Sequence, residues 1–465
     1  MRYVSTRGGA TANFAEVLLG GPAPDGGLYL PETWPQFSRS EIESFAGLSY
    51  AEVAFRVMRP FIGDAFTDDE FRADVDGAYA TFTHPEVVPL TELSSDKYLL
   101  ELFHGPTLAF KDVAMQLLGR LFARALEKQG RRATVIVATS GDTGSAAIAA
   151  LKGQPNVDVV VMHPKGRVSD VQRCQMTSVL DANVHNIALE GTFDDTQSIV
   201  KELFADQAFA SRVSLTAVNS INFARIMAQC VYYFTAALAL DPKLKRRAAF
   251  VVPTGNFGDV FAGEAAARMG LPMEVLVVAT NSNDILARAL ETGSYNSGSA
   301  QATLSPSMDI QVASNFERAL FEASERDGLW VSGAMKAFAQ TRSLPIRADA
   351  LAALRERYVS GAADDAETIA AIGEVHRAYH TIIDPHTAVG VAVAGKLPRM
   401  PGIPLIFLAT AHPAKFPVPV MRATGISPQL PLHLKDLLTR EERCTVLPNS
   451  TDAIREFVFQ RTGAA

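Results

Sequence analysis

Cysteine is almost missing: Cys174, Cys230 and Cys444 are the only three in 465 residues. They lie far apart and in no CxxC spacing, which excludes a disulfide framework and a structural zinc site and fits a reducing, cytoplasmic setting. The nine histidines are scattered, with no HExxH, so metal catalysis has no ligand set to start from. Long runs of one charge sign are also missing. With a net charge of −7 and no basic stripe, nothing points to a nucleic-acid or membrane surface. No apolar run reads as a membrane span, and the opening MRYVSTRGGATANF lacks the apolar core of a signal peptide. Internal repeats and low-complexity segments do not occur.

What is present is an alternation. Ala133–Thr139 is a β-branched run followed by SGDTG and the helix-like SAAIAALKG. Val157–Met162 is a second strand, after which SDVQRCQMTSVL opens with a Ser-Asp helix cap; Val184–Leu189 reads as a third. Farther on, Ala248–Val252 runs into PTGNFG and the helix-like DVFAGEAAARMG, with Val275–Ala279 beyond. Strands alternating with helices predict an α/β fold, parallel sheets covered by helices, with ligands at the carboxyl ends of the strands. The first hundred residues differ. They are rich in Gly, Pro and aromatics (DGGLYLPETWPQF), then helical, and read as a separate N-terminal domain. A chain of this length calls for two or three domains.

One lysine stands out. In HGPTLAFKD, Lys111 precedes Ala114, Leu117, Leu118, Leu121, Phe122 and Ala125, which share one helical face. The first turn of a helix favours an anion, such as Asp112, and disfavours a cation. Apolar neighbours push a lysine in the same direction, toward the neutral amine that imine formation with an aldehyde requires. On position alone, a snorkelling surface lysine is the favoured explanation of Lys111.

Two glycine turns add to it. In TSGDTGSAA, unpaired backbone N–H groups gather at a helix N-terminus, Gly141 and Gly144 permit close approach, and Ser140, Thr143 and Ser145 add hydroxyls. In PTGNFGDVFAG, Gly255, Asn256, Phe257 and Gly258 turn into a helix in the same manner, suited to a phosphate. Each taken alone is also an ordinary capped βα turn. Neither contains GxGxxG nor a following GK[ST], which disfavours a nucleotide-binding protein. Two anion cradles around one amine suit a cofactor phosphate, a substrate carboxylate and a Schiff-base lysine.

FHGPTLAFKD, ATSGDTGSAA and PTGNFGDVFAG, in this order, resemble the threonine synthase family, in its longer variant found in many bacteria and fungi. YVSTRGG, DGGLYLP, VNSINFARIMAQ, LSPSMDIQVASNFER, IIDPHTAVGV and LATAHPAKF extend the resemblance nearly end to end. It implies a lyase of the tryptophan-synthase β-like fold (PLP fold type II), with pyridoxal 5'-phosphate as cofactor and no metal. Its domains are expected at 1–97 (N-terminal), 98–125 with 226–465 (large, cofactor-binding) and 126–225 (smaller, carrying SGDTG). The reaction implied is β,γ-elimination of phosphate from O-phospho-L-homoserine and addition of water, giving L-threonine; the resemblance leaves monomer or homodimer open.

By the same resemblance, Lys111 forms the Schiff base and acts as general base. Gly255, Asn256, Phe257 and Gly258 hold the cofactor phosphate, Asp259 orients that loop, and Thr410 offers a hydroxyl to the pyridine nitrogen. Ser140, Gly141, Asp142 and Thr143 face the substrate carboxylate, Asp142 standing where related enzymes often carry Asn. Ser220 and Arg225 grip the substrate phosphate, while Asn222 is placed to cap the helix. His104, His386 and His412 each adjoin a proline or glycine turn and are expected to be structural. The nearest alternative is another lyase of the same fold, a serine/threonine dehydratase or a phospholyase, separated by the phosphate grip at Ser220 and Arg225. A non-catalytic binding protein is the rival of a different class, and it would form no covalent link at Lys111.

Overall fold

A computed structural model describes residues 1–216, 218 and 220–462. Two sheets organise the chain. The larger runs in the order Tyr358–Ala362, Val275–Thr280, Ala249–Pro253, Leu405–Ala409, Lys97–Glu101, Leu90–Ser94. Its first five strands pair in parallel, and Leu90–Ser94 closes the edge antiparallel. The smaller is parallel throughout: Thr445–Pro448, Val184–Glu190, Val157–Pro164, Ala133–Ala138, Leu215–Thr216. Central strands such as VLVVAT, ATVIVA and VDVVVMHP are apolar on both faces, because helices cover both sides of a parallel sheet. β-branched residues suit that pleated, doubly buried surface.

The first eighty residues form a three-stranded antiparallel sheet and four helices. Asn13, Ser38, Ser49 and Thr67 fix where those helices begin, each accepting a backbone N–H of the first turn. This domain does not keep a core to itself. Phe61, Ile62, Phe71 and Val75 join one buried cluster with Leu117, Leu121 and Phe223 of the neighbouring helices.

Three expectations need correction. The predicted boundary at 97 falls too late, since Leu90–Ser94 already belongs to the larger sheet. The predicted large unit, 226–465, does not hold together to its end. Thr445 pairs with Ile187 on the smaller sheet, and the helix Thr451–Arg461 buries Ile454 and Val458 with Ile199 and Leu203. A four-residue, half-exposed strand returning across more than two hundred residues leaves no local mark in the sequence. Finally, the helix Phe223–Leu240 is long and apolar enough for a membrane span, the one such among the described residues. It is a core helix here, with Ile226, Val231, Tyr232, Tyr233 and Phe234 fully buried inside the protein.

Candidate active site

Four loops leave the carboxyl ends of the strands and converge between the two sheets: FHGPTLAF, TSGDTG, TGNFG and TAHPAKF. This is where a parallel sheet exposes free backbone groups and helix N-termini to a ligand.

Lys111 is the first residue of the helix Lys111–Lys128, and no side chain caps that end. The loop before it is pinned from both directions. Asp112 accepts the Thr107 N–H and the Thr107 hydroxyl, each at 2.7 Å, and the Phe110 N–H donates to the Thr410 carbonyl at 2.8 Å. Lys111 is only 8% exposed. Its Nζ lies 4.7 Å from the centre of the Phe110 ring and 3.5 Å from Asp142 Oδ2. Burial pushes the Lys111 amine down from its ordinary range; Asp142 opposes this, and the cations of Lys415 and Arg225 reinforce it. The surface-lysine alternative is therefore set aside by geometry.

Asp142 opens the next helix and carries the site's densest set of contacts. Its Oδ1 lies 2.8 Å from Lys415 Nζ and accepts from Gln172 Nε2 at 2.9 Å; its Oδ2 accepts from Ser307 Oγ at 3.1 Å. Burial would raise its pKa, yet Lys415, then Lys111 and His386, hold the carboxyl well below the usual range. Gly141 before it adopts φ 137°, and a Cβ there would meet the Gln172 side chain at 2.4 Å, so only glycine fits. The hydroxyls of Ser140 and Thr143 have no partner among the described residues. Ser145, expected to add a third, instead turns back to the Gly141 and Asp142 carbonyls at 3.2 and 3.1 Å and is wholly buried.

In the GNFG turn, the N–H groups of Gly255, Asn256, Phe257 and Gly258 find no acceptor among the described residues, and no side chain caps the helix they open. Phe257 sits at φ 64°, a left-handed conformation that turns those groups inward. A Cβ on Gly255 would stand 2.8 Å from the Ser307 carbonyl. Asp259, next in the helix, is anchored by the hydroxyls of Tyr232 and Tyr233. Burial raises its pKa to about 6 against those bonds and against Lys111 and Arg225, and its Oδ2 has no partner. Thr410 is buried at the end of the strand Leu405–Ala409, its hydroxyl likewise without a partner among the described residues.

Asn222 caps the helix Phe223–Leu240, as expected, accepting the Ala224 N–H at 3.0 Å and donating to the Leu18 carbonyl at 2.9 Å. Arg225 lies in that helix's first turn, 4% exposed. Burial pushes its pKa down to about 10, and its buried Nε has no partner. Ser220 precedes the cap. One side chain joins it to the GNFG turn: Asn315 Nδ2 donates to the Ser220 and Asn256 carbonyls, both at 3.1 Å.

The histidines pack against structure. His386 Nδ1 lies 2.8 Å from Asp384 Oδ1, and its Nε2 accepts the Ser307 N–H at 3.2 Å. His104 pairs with Glu101 at 2.8 Å, and His412 Nδ1 accepts the Ala414 N–H at 3.2 Å.

Four side chains escaped the sequence reading: Lys415, Gln172, Asn315 and Arg318. Arg318 is fully buried and donates to Asn315 Oδ1, to the Ile221 carbonyl at 2.6 Å and to the Tyr29 carbonyl at 3.1 Å. It thereby ties the N-terminal domain to the segment before Asn222 and, through Asn315, to the GNFG turn. Arg318→Met strands those acceptors, and each buried group left unpaired costs about 1–3 kcal/mol. The expected loss is about 3 kcal/mol, read as a lower urea midpoint at unchanged slope.

Comparison with known proteins adds a lineage. Residues 2–79 match the family model "Threonine synthase N terminus", 86–352 match "Pyridoxal-phosphate dependent enzyme", and 387–458 match "Threonine synthase, C-terminal". A threonine synthase of Pseudomonas aeruginosa is 52% identical over 462 residues, covering 99% of this chain and 98% of that one. A crystal structure of PLP-bound threonine synthase from Brucella melitensis superposes with a TM-score of 0.97 at 50% identity, covering 99% of each chain. One from yeast superposes at 0.94 with 37% identity, covering 100% of this chain and 99% of that one.

Proposed function

The chain belongs to the threonine synthase family, and from that premise we propose which of its residues carry the reaction. The enzyme is a pyridoxal-phosphate-dependent lyase that converts O-phospho-L-homoserine and water into L-threonine and inorganic phosphate. The residues suit the cofactor. Four unsatisfied N–H groups at a helix start suit its phosphate, a buried amine resisting charge suits its aldehyde, and the unpartnered Thr410 hydroxyl suits its ring nitrogen. When bound, the cofactor supplies an aldehyde that joins amines reversibly and a ring that takes up the electron pair left by a broken C–H bond.

Gly255, Asn256, Phe257 and Gly258 hold the cofactor phosphate through backbone N–H groups, and Asp259, fixed by Tyr232 and Tyr233, orients the helix behind them. Lys111 would hold the cofactor by its aldehyde, and once released its amine would take a proton from the substrate's Cα, and later one from Cβ. Ser140, Asp142 and Thr143 bind the substrate carboxylate by their free N–H groups and the two hydroxyls, while Gly141, whose own N–H donates to Thr139 Oγ1 at 2.9 Å, shapes the turn. The loop closes over the substrate, which keeps water out until the phosphate has left. Ser220 and Arg225 grip the departing phosphate and stabilise its charge as the Cγ–O bond breaks. A proton returned to Cγ, the hydroxyl of water added at Cβ and a proton returned to Cα complete threonine.

The observation that carries this reading is Arg225, a cation that is 4% exposed with its buried Nε unpaired. Asp259 acts on this charge only from beyond ion-pair contact, so the buried Nε stays unsatisfied at a cost that a substrate phosphate removes. Three free cysteines support a reducing compartment, the cytoplasm. The test is to follow phosphate and threonine together from phosphohomoserine. Equal amounts are expected; phosphate released with a 2-oxo acid in place of threonine would assign the protein to the phospholyases of the same fold.

A further inference from the structure

We propose that Lys415 is a positioning residue that sets the charge on Lys111 through Asp142, and latches the two halves of the site together. Lys415 ends the short turn Pro413–Lys415 behind the strand Leu405–Ala409, on the larger sheet; Asp142 opens a helix on the smaller one. Lys415 is wholly buried. Its Nζ lies 2.8 Å from Asp142 Oδ1 and donates to the Thr107 carbonyl at 2.7 Å. Helix Asp170–Thr177 reinforces the same two points, with Gln172 Nε2 on Asp142 and Gln175 Nε2 on Thr107 at 3.0 Å.

Two amines thus share one carboxylate in a pocket closed to water. A single carboxylate balances a single ammonium, and the two claims on it are unequal. Lys415 has the short contact and a second acceptor. Lys111 has the longer contact, 3.5 Å, and an aromatic face as its other neighbour. The carboxylate is therefore engaged chiefly by Lys415, and Lys111 is the amine whose charge the pocket supports least. The other charged groups near Lys111 are Arg225, which works in the same direction, and Asp259, which opposes it. His386 faces Asp142 and is held between Asp384 and the Ser307 N–H. Burial and this charge arrangement agree in lowering the Lys111 pKa. The proposal rests on Lys111 being the reactive amine.

The two partners then make opposite predictions. Lys415→Met removes a repelling cation and leaves Asp142 free to hold a proton on Lys111. Asp142→Asn removes the attraction and leaves the repulsion. The experiment strips cofactor from the full-length protein and adds pyridoxal phosphate across a pH series. Borohydride then traps the covalent product, and the modified Lys111 peptide is quantified by mass. The pH of half-maximal trapping should rise by about 1 unit or more in K415M and fall by about 1 unit or more in D142N. In the K415M/D142N double variant, with both charges gone, it should return to within about half a unit of wild type. Shifts of the same sign, or folded variants with no shift, overturn the proposal. Should K415M fail to fold, D142N and the double variant decide, and a D142N midpoint at or above wild type overturns it. Wild-type protein that traps nothing on Lys111 brings down this proposal and the assignment of the reactive amine together; trapping with unmoved midpoints overturns this proposal alone.

Discussion

Lys111→Ala is expected to lower kcat for threonine formation by about 10⁴-fold or more, because one amine holds the cofactor and moves the protons. No neighbouring base is placed to replace it. Lys415 is tied to Asp142 and Thr107, and His386 to Asp384 and Ser307. The same change should barely affect folding. Lys111 is a buried amine whose charge the pocket resists, and Asp142 keeps its shorter partner when the lysine is gone. A thermal or urea unfolding curve should therefore move by no more than about 1 kcal/mol. A comparable loss of stability would mean that Lys111 is a structural counterion.

Arg225→Met should separate the two phosphates of the reaction. Losing a charge-assisted, forked grip on a desolvated phosphate costs about 4 kcal/mol, or about 10³-fold in kcat/KM for phosphohomoserine. Covalent capture of the cofactor at Lys111 should persist, since the GNFG turn is untouched. Lysine should not rescue the variant, because a point charge cannot reproduce the guanidinium fork. Stability should move the other way. A buried guanidinium with an unpaired Nε, answered only by Asp259 from beyond ion-pair contact, is replaced by an apolar chain of similar volume, so the substrate-free variant should unfold at higher denaturant than wild type. Activity lost while stability is gained is the mark of a residue kept for its ligand.

Much of this site could be read before any coordinates. Lys111 broke a local rule by placing a cation at a helix start, and the two glycine turns declared themselves by following β-branched strands. Such signals are local, carried by a few adjacent residues. Lys415 obeys the same logic as Lys111 but sits in a three-residue turn, where no helical periodicity marks a lysine as buried. Asp142 could be read as a loop residue facing the ligand; that its carboxylate bridges the two sheets depends on long-range packing. Arg318 is similar. In FERALFEA it resembles one more helix arginine, and only the return of Tyr29 and Ile221 onto it makes it a buried staple. The final strand, Thr445–Pro448, was misplaced for the same reason.

The chemistry depends most on which amine meets the cofactor, and the pocket holds two buried lysines. Reducing the cofactor-loaded enzyme with borohydride and mapping the added mass by peptide sequencing decides it. The label is expected on Lys111 and not on Lys415; label on Lys415, or on neither, would contradict the site described above.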